Sequence, residues 1–374
     1  MDIDGQLVLQ NRLLPGRLRF GTHIESVTEL AEAPSRYILP GFVDTHVHGG
    51  DGADTMDAAE EGATAIERMA RFHLGHGTTT LLPTTITRPW PDVMAALKAI
   101  AAVMGSGVAG GPRIHGAHLE GPFISPHKLG AQPPFTIPPS PERVAEALAT
   151  GCLRVVTLAP ELDHAATAIQ AFAGAGVRVS LGHTVTDYEG AHRAICAVCA
   201  AGGVPGGTHL FNAMAPIEGR RPGPVTALMC HDAAYGEMIF DTHHVHPASF
   251  RLVARVMGER LLFVTDAMRG TGQPEGPSQL GGQDVLIADG VVRLPNGSLA
   301  GSVLTLDQAL RNAVAHGASL PEAARLVSTN AAAYLGLEDR GRIAPGLLAD
   351  LVVMNAALEI EDVYVGGVKA AAPP

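Results

Sequence analysis

Gly41-Phe-Val-Asp-Thr-His-Val-His48 is a mostly apolar run that ends in two histidines spaced by two. Side chains on a strand repeat every second residue, so His46 and His48 share one face at a strand end and can share one cation. Working outward, comparable short runs recur at 78–84, 114–120, 154–158, 177–183, 207–211, 237–241 and 261–266. The stretches 57–73, 91–103, 141–150, 164–173 and 187–200 carry apolar residues three and four apart, with Pro, Ser or Asp near their starts. That is the pattern of amphipathic helices. Eight strand–helix units in succession predict an α/β chain folded as a (β/α)8, TIM-like barrel over residues 42–339.

The ends have a different texture. Residues 1–41 and 340–374 read as short alternating strands with turns, as in Gln6-Leu-Val-Leu9 and in Ala349-Asp-Leu-Val-Val-Met354 after Pro345-Gly346. Neither segment is long enough to bury a core alone, so they are expected to pair into one small β domain formed from both chain termini. Residues 284–294 alternate around Asp289-Gly290 and predict a hairpin insertion.

Polar residues fall where such a barrel carries its chemistry, at the carboxyl ends of the strands. His46, His48, Glu120, His183 and Asp266 end strands one, three, five and eight, and His209 lies on the sixth. Packing asks for no imidazole there, so these six candidate ligands point to a divalent metal site. Nitrogen and carboxylate oxygen donors without thiolate suit Zn²⁺ or Fe²⁺, and less well Mn²⁺ or Co²⁺. Histidine is also abundant: 17 residues, against ten Phe, five Tyr and one Trp.

Charge narrows the partners. With 26 basic and 37 acidic side chains the formal charge is −11, and lysine occurs only at 98, 128 and 369. A nucleic-acid groove or a polybasic membrane patch needs clustered Lys and Arg, so neither partner is expected. Four cysteines are too few for a disulfide framework, and Cys196-Ala-Val-Cys199 reads as buried thiols on a helix. No signal peptide or apolar membrane span is legible, and the expected setting is the cytoplasm.

Seven segments carry a likeness to known enzymes. They are Pro40-Gly-Phe-Val-Asp-Thr-His-Val-His-Gly49, His118-Leu-Glu-Gly-Pro-Phe-Ile124, Gly182-His-Thr184, Thr208-His-Leu-Phe-Asn-Ala-Met214, Asp241-Thr-His-His-Val245, Val264-Thr-Asp-Ala-Met268 and Leu299-Ala-Gly-Ser302. In this order they resemble the amidohydrolase superfamily and, within it, the N-acetylglucosamine-6-phosphate deacetylases. The resemblance implies hydrolysis of the acetamido group of N-acetyl-D-glucosamine 6-phosphate to glucosamine 6-phosphate and acetate, in amino-sugar catabolism. It implies one metal on Glu120, His183 and His209, with Asp266 as general acid/base. Members that keep the first-strand pair bind two metals, so a second cation is expected at His46 and His48, bridged by Glu120. Lysine is absent from 154–161, which disfavours a carboxylated-lysine bridge.

The resemblance further implies phosphate binding by Arg220 and His244 with the backbone of Asn212 and Ala213, and a substrate rim at Ala131, Gln132, Leu299, Ala300 and Gly301. It implies a homodimer, whose neighbouring subunit can complete the phosphate pocket. Where the family often reads Lys-Gly-Ala-His, this chain has Leu129-Gly-Ala-Gln132. Glutamine donates a hydrogen bond but carries no charge. The expectation is that the second cation supplies the electrophilic help of the missing imidazolium. Two alternatives stay open at this point: deacetylation of N-acetylgalactosamine 6-phosphate or another amidohydrolase activity on the same site, and a non-catalytic scaffold on this fold.

Overall fold

A computed structural model describes residues 1–371, and the last positions of the expected terminal domain, 372–374, lie outside the described residues. A central series of strands runs Phe42–Val47, Thr78–Pro83, Ala117–Glu120, Leu153–Leu158, Arg178–Leu181, Pro205–Gly207, Gly236–Met238 and Leu261–Phe263, with helices between successive members. First and second, third to sixth, and seventh and eighth pair in parallel. Parallel bridging of Thr84 to His118 joins the second to the third. Tyr235 N–H donates to the Pro205 carbonyl and Gly207 N–H to the Tyr235 carbonyl, linking sixth to seventh. Beyond the eighth strand, Asp266 N–H donates to the His46 carbonyl at 2.9 Å, back to the first.

Every residue of the first three strands is buried. Helices cover their outer face, so the strands read as nearly continuous apolar runs. The inner face still takes polar groups at alternate positions, among them Asp44, His46 and Glu120. Ala63–Gly75 shows how a covering helix is built: Ala65, Ile66, Met69, Ala70, His73 and Leu74 form one buried stripe. Gly62, at φ 61°, separates it from the short Ala58–Glu61 turn, a break inside the span expected as one helix.

A seven-stranded sheet draws on both ends of the chain: Asp2–Val8, Leu13–Phe20, Ile24–Glu29 and Tyr37–Pro40 with Leu351–Met354, Ile360–Val365 and Val368–Lys369. Leu351–Met354 joins the two halves by pairing antiparallel with Tyr37–Pro40. That strand is buried on both faces, because Leu351 and Val353 enter a local core with Leu18, Phe20 and Ile38, while Val352 and Met354 enter the main core. The insertion after the eighth strand has three strands. Gly276–Leu280 pairs with Gln283–Ala288, which turns into Val291–Arg293.

Some local expectations are corrected. The sixth strand ends at Gly207, and Thr208 to Ala213 form a turn in which His209, Phe211 and Ala213 have positive φ. Cys196 is exposed and Cys199 half-buried, because both sit on the outer side of Tyr188–Ala200. His73 is fully buried and bonds the Gly49 carbonyl at 2.9 Å. Among the described residues, no helix is long and apolar enough to cross a membrane.

Candidate active site and metal centre

Glu120 ends the third strand, and its two oxygens face different partners. Oε1 lies 3.2 Å from His183 Nε2 and 3.1 Å from His209 Nε2. Oε2 lies 3.1 Å from His48 Nε2 and 3.5 Å from His46 Nε2. Asp266 Oδ1 closes the second group, 3.1 Å from His48 and 3.4 Å from His46. His183, His209 and Asp266 stand just past their strands with φ of 47°, 32° and 49°. This left-handed backbone costs roughly 1–2 kcal/mol per non-glycine residue, and such strain gathers at functional sites.

The donor chemistry fits divalent cations. His183 Nδ1 donates to the Lys128 carbonyl at 2.8 Å, His48 Nδ1 to the Thr84 carbonyl at 3.2 Å, and His46 Nδ1 to Glu237 at 3.1 Å. With Nδ1 as donor, each ring turns its Nε2 lone pair inward. His46 and His48 then oppose lone pairs 3.3 Å apart, and His183 turns its lone pair to His209 Nε2 at 3.0 Å. Lone pairs that close repel unless a positive centre lies between them. Tetrahedral ligands at ~2.0–2.2 Å are themselves about 3.3–3.6 Å apart, close to the observed spacing. Two buried groups are thus suited to cations: Glu120, His183 and His209, and His46, His48 and Asp266.

The local field is anionic and draws positive charge, a proton or a cation, to the same point. Burial opposes charge on His46, but Glu120 and Asp266 outweigh it and hold the imidazole well above its ordinary range. Burial likewise opposes charge on His48, yet the same carboxylates raise it to about 9. Burial would raise Glu120, but His46 and the hydrogen bonds of His183 and His209 hold it well below the usual carboxylate range. Asp266 is lowered against its burial by His46 and His48. Both carboxylates are therefore anions, as cation ligands must be.

This cluster floors a cavity of about 350 Å³, within the usual size range of small-molecule sites. Of the other sequence candidates, Ala131, Gln132, Asn212, Ala213, His244, Leu299 and Gly301 line it. Ala300 is fully buried beside the lining, and His46 is fully buried behind His48. His244 is held by its Nδ1, 2.7 Å from Asp241. Arg220 lies in the exposed run 216–221 and is not among the lining residues. Gln132 is committed within the protein, its Nε2 donating to Glu120 Oε2 at 2.6 Å and its Oε1 accepting from Thr87 N–H at 2.6 Å. His118 backs His46 with ring centroids 4.6 Å apart, its nitrogens on the Thr45 carbonyl and Thr157 Oγ1.

Two buried acids escaped the sequence reading. Glu237 accepts from His46 Nδ1 and Thr45 Oγ1. Asp44 accepts from Thr265 Oγ1 at 2.6 Å, tying the first strand to the segment after the eighth, and burial pushes it up to about 7. The available signal was an acid at an inward position of an otherwise apolar strand.

A profile of the Amidohydrolase family matches residues 37–369. The chain belongs to the amidohydrolase family. N-acetylgalactosamine-6-phosphate deacetylase of Escherichia coli O157:H7 is 36% identical over 345 residues, 90% of this chain and 89% of that protein. N-acetylglucosamine-6-phosphate deacetylase of Lysinibacillus sphaericus is 35% identical over 350 residues, 92% of this chain and 88% of that protein. Among solved structures, a mutant N-acetyl-D-glucosamine-6-phosphate deacetylase from Mycobacterium smegmatis, in complex with N-acetyl-D-glucosamine-6-phosphate, superposes with a TM-score of 0.91 at 35% identity, covering 99% of each chain. The Thermotoga maritima N-acetylglucosamine-6-phosphate deacetylase gives 0.89 at 29% identity, again over 99% of each chain. This amidohydrolase is a hydrolase of the amino-sugar deacetylase kind.

Proposed function

We propose that this enzyme hydrolyses the acetamido group of N-acetyl-D-glucosamine 6-phosphate, giving glucosamine 6-phosphate and acetate. The observation that carries the reading is Glu120, held between two imidazole pairs and beside Asp266 on the floor of the cavity. Glu120, His183 and His209 would hold one cation. His46, His48, Glu120 Oε2 and Asp266 Oδ1 would hold another. Zn²⁺ and Fe²⁺ suit these donors best. When bound, the cations polarise the acetyl carbonyl and bring the pKa of a bound water from ~15.7 towards ~7. With three protein donors, the Glu120, His183 and His209 group would leave room for substrate chemistry at its cation.

The protein's own residues then account for proton and position. Asp266 takes the proton of the attacking water on its carboxylate and passes it to the departing sugar nitrogen, first base and then acid. His244, fixed by Asp241, offers its free Nε2 to the phosphate. Within the turn the Leu210 and Asn212 N–H groups are taken by the Glu237 and His209 carbonyls, which leaves the N–H of left-handed Ala213 to offer to the phosphate. Binding at the phosphate end orients the acetamido group over the floor.

We also propose that the central strands close into one eight-stranded barrel over 42–339, with the two-ended sheet as a separate small β domain. The exposed position of Arg220 suggests that it serves the phosphate end of a neighbouring copy in a homodimer. Four unpaired cysteines suit the reducing cytoplasm.

The test is acetate release from the gluco and galacto sugar phosphates on metal-quantified enzyme. Preference for the gluco epimer by roughly tenfold or more in kcat/KM is expected. No release from either, with metal loaded, overturns the reading. The 36% identical galactosamine-type relative supports the second reading, reversal of that preference.

A further inference from the structure

The four imidazoles at the site are backed unequally. His48 and His183 donate from Nδ1 to backbone carbonyls, of Thr84 and Lys128, and His209 Nδ1 has no partner among the described residues. His46 alone donates to a carboxylate, Glu237 Oε2 at 3.1 Å. Glu237 is 1% exposed, in the middle of Gly236–Met238, and does not line the cavity, so it cannot touch substrate. Its other oxygen accepts from Thr45 Oγ1 at 3.1 Å, which fixes the carboxylate against rotation. The ring it holds is fully buried and packs on His118. A buried carboxylate with no contact to solvent is unfavourable unless its charge is used.

We propose that Glu237 is a positioning residue for the first-strand cation: it fixes His46 with its proton on Nδ1, aims Nε2 at the point shared with His48 and Asp266, and so governs whether that position fills. The inference rests on the two-cation reading above. A carboxylate behind a ligating imidazole fixes the tautomer, restrains the ring and makes the inner nitrogen a stronger donor. Losing such a partner typically weakens metal affinity ~10–100-fold. Glu237 accepts through its side chain from His46 and Thr45, and its other tie, from Leu210 N–H to the Glu237 carbonyl, is a backbone bond that substitution leaves in place, so the affinity of the Glu120, His183 and His209 position is expected to stay constant.

The experiment titrates chelator-stripped full-length enzyme with Co²⁺, reading its visible absorption and the metal bound per subunit. Wild type is compared with Glu237→Gln, which keeps the shape without the charge, and with Glu237→Leu. Two cations are expected in wild type. In Glu237→Gln, one of them should bind ~10–100-fold more weakly with an altered spectrum, and the other should be unchanged. Glu237→Leu should bind one. In a His46→Asn background, Glu237→Gln should change nothing further, as expected if it acts through His46. Should Glu237→Leu not fold, the isosteric Gln variant decides alone. Two cations bound with wild-type affinity and spectrum in Glu237→Gln overturn the role of Glu237 while leaving the two-cation reading intact. A single cation in wild type overturns both.

Discussion

Gln132→Leu separates two uses of one amide. The structure gives the side chain two hydrogen bonds, each 2.6 Å: to Glu120 Oε2, and from the N–H of fully buried Thr87. Leucine fills a similar volume but offers neither bond. Leaving the Thr87 N–H unpaired costs about 1–3 kcal/mol, and losing a donor to an ionised carboxylate about 1.5–3 kcal/mol. Together the variant should lose about 2.5–6 kcal/mol of stability, centred near 4 kcal/mol. At ~2.1 cal/mol/K per residue, a chain of 374 residues should then melt roughly 3–8 °C lower. Thermal melts and urea titrations of chelator-treated protein measure this. If Gln132 instead spent its N–H on the acetyl group, the stability loss would shrink to about 1–3 kcal/mol, that of the Thr87 bond, and turnover would fall as well. A loss below about 1 kcal/mol would refute both bonds, and with them the positioning of Glu120 by Gln132.

Asp266→Asn should fold and lower kcat by ~10²–10⁴ or more, and near-wild-type turnover would remove Asp266 from the mechanism. His244→Ala should erode the preference for phosphorylated over plain N-acetylglucosamine, read as the ratio of kcat/KM values, because it removes the ring that Asp241 holds at the rim. Chelation should abolish turnover and lower the melting temperature, and added Zn²⁺ or Co²⁺ should restore both, since bound metal stabilises only the folded chain. Burial pushes His73 down to about 4. Below pH ~6.5 the unfolded histidine takes a proton that the folded one refuses, so this contribution is complete above ~6.5 and is lost as pH falls to about 4. His73→Asn should flatten the stability slope over that window by about 1.4 kcal/mol per pH unit, and an unchanged slope in urea titrations would contradict it.

Much of the site was legible because its residues stand at ends of short buried runs, and those runs follow from local periodicity. His46 and His48 share a face by that rule alone. His209 shows its limit: the strand stops at Gly207, and a left-handed turn, not a strand, presents the ring. Glu237 was passed over because an acid near the start of Gly236-Glu-Met-Ile-Phe240 looks like a strand boundary, although its position is inward and buried. The likeness to known deacetylases points to Arg220 as a phosphate donor, and the structure places it in an exposed run rather than among the cavity-lining residues.

By itself the sequence determined the order of strands and helices and the placing of the candidate ligands at or near strand ends, since each depends on spacing within a few residues. Only the tertiary structure decided which oxygen of Glu120 serves which imidazole pair, that Gln132 holds Glu120, and that Glu237 holds His46 across 191 positions of chain. Those choices depend on the distance and direction of groups brought together by folding, and no local pattern encodes them.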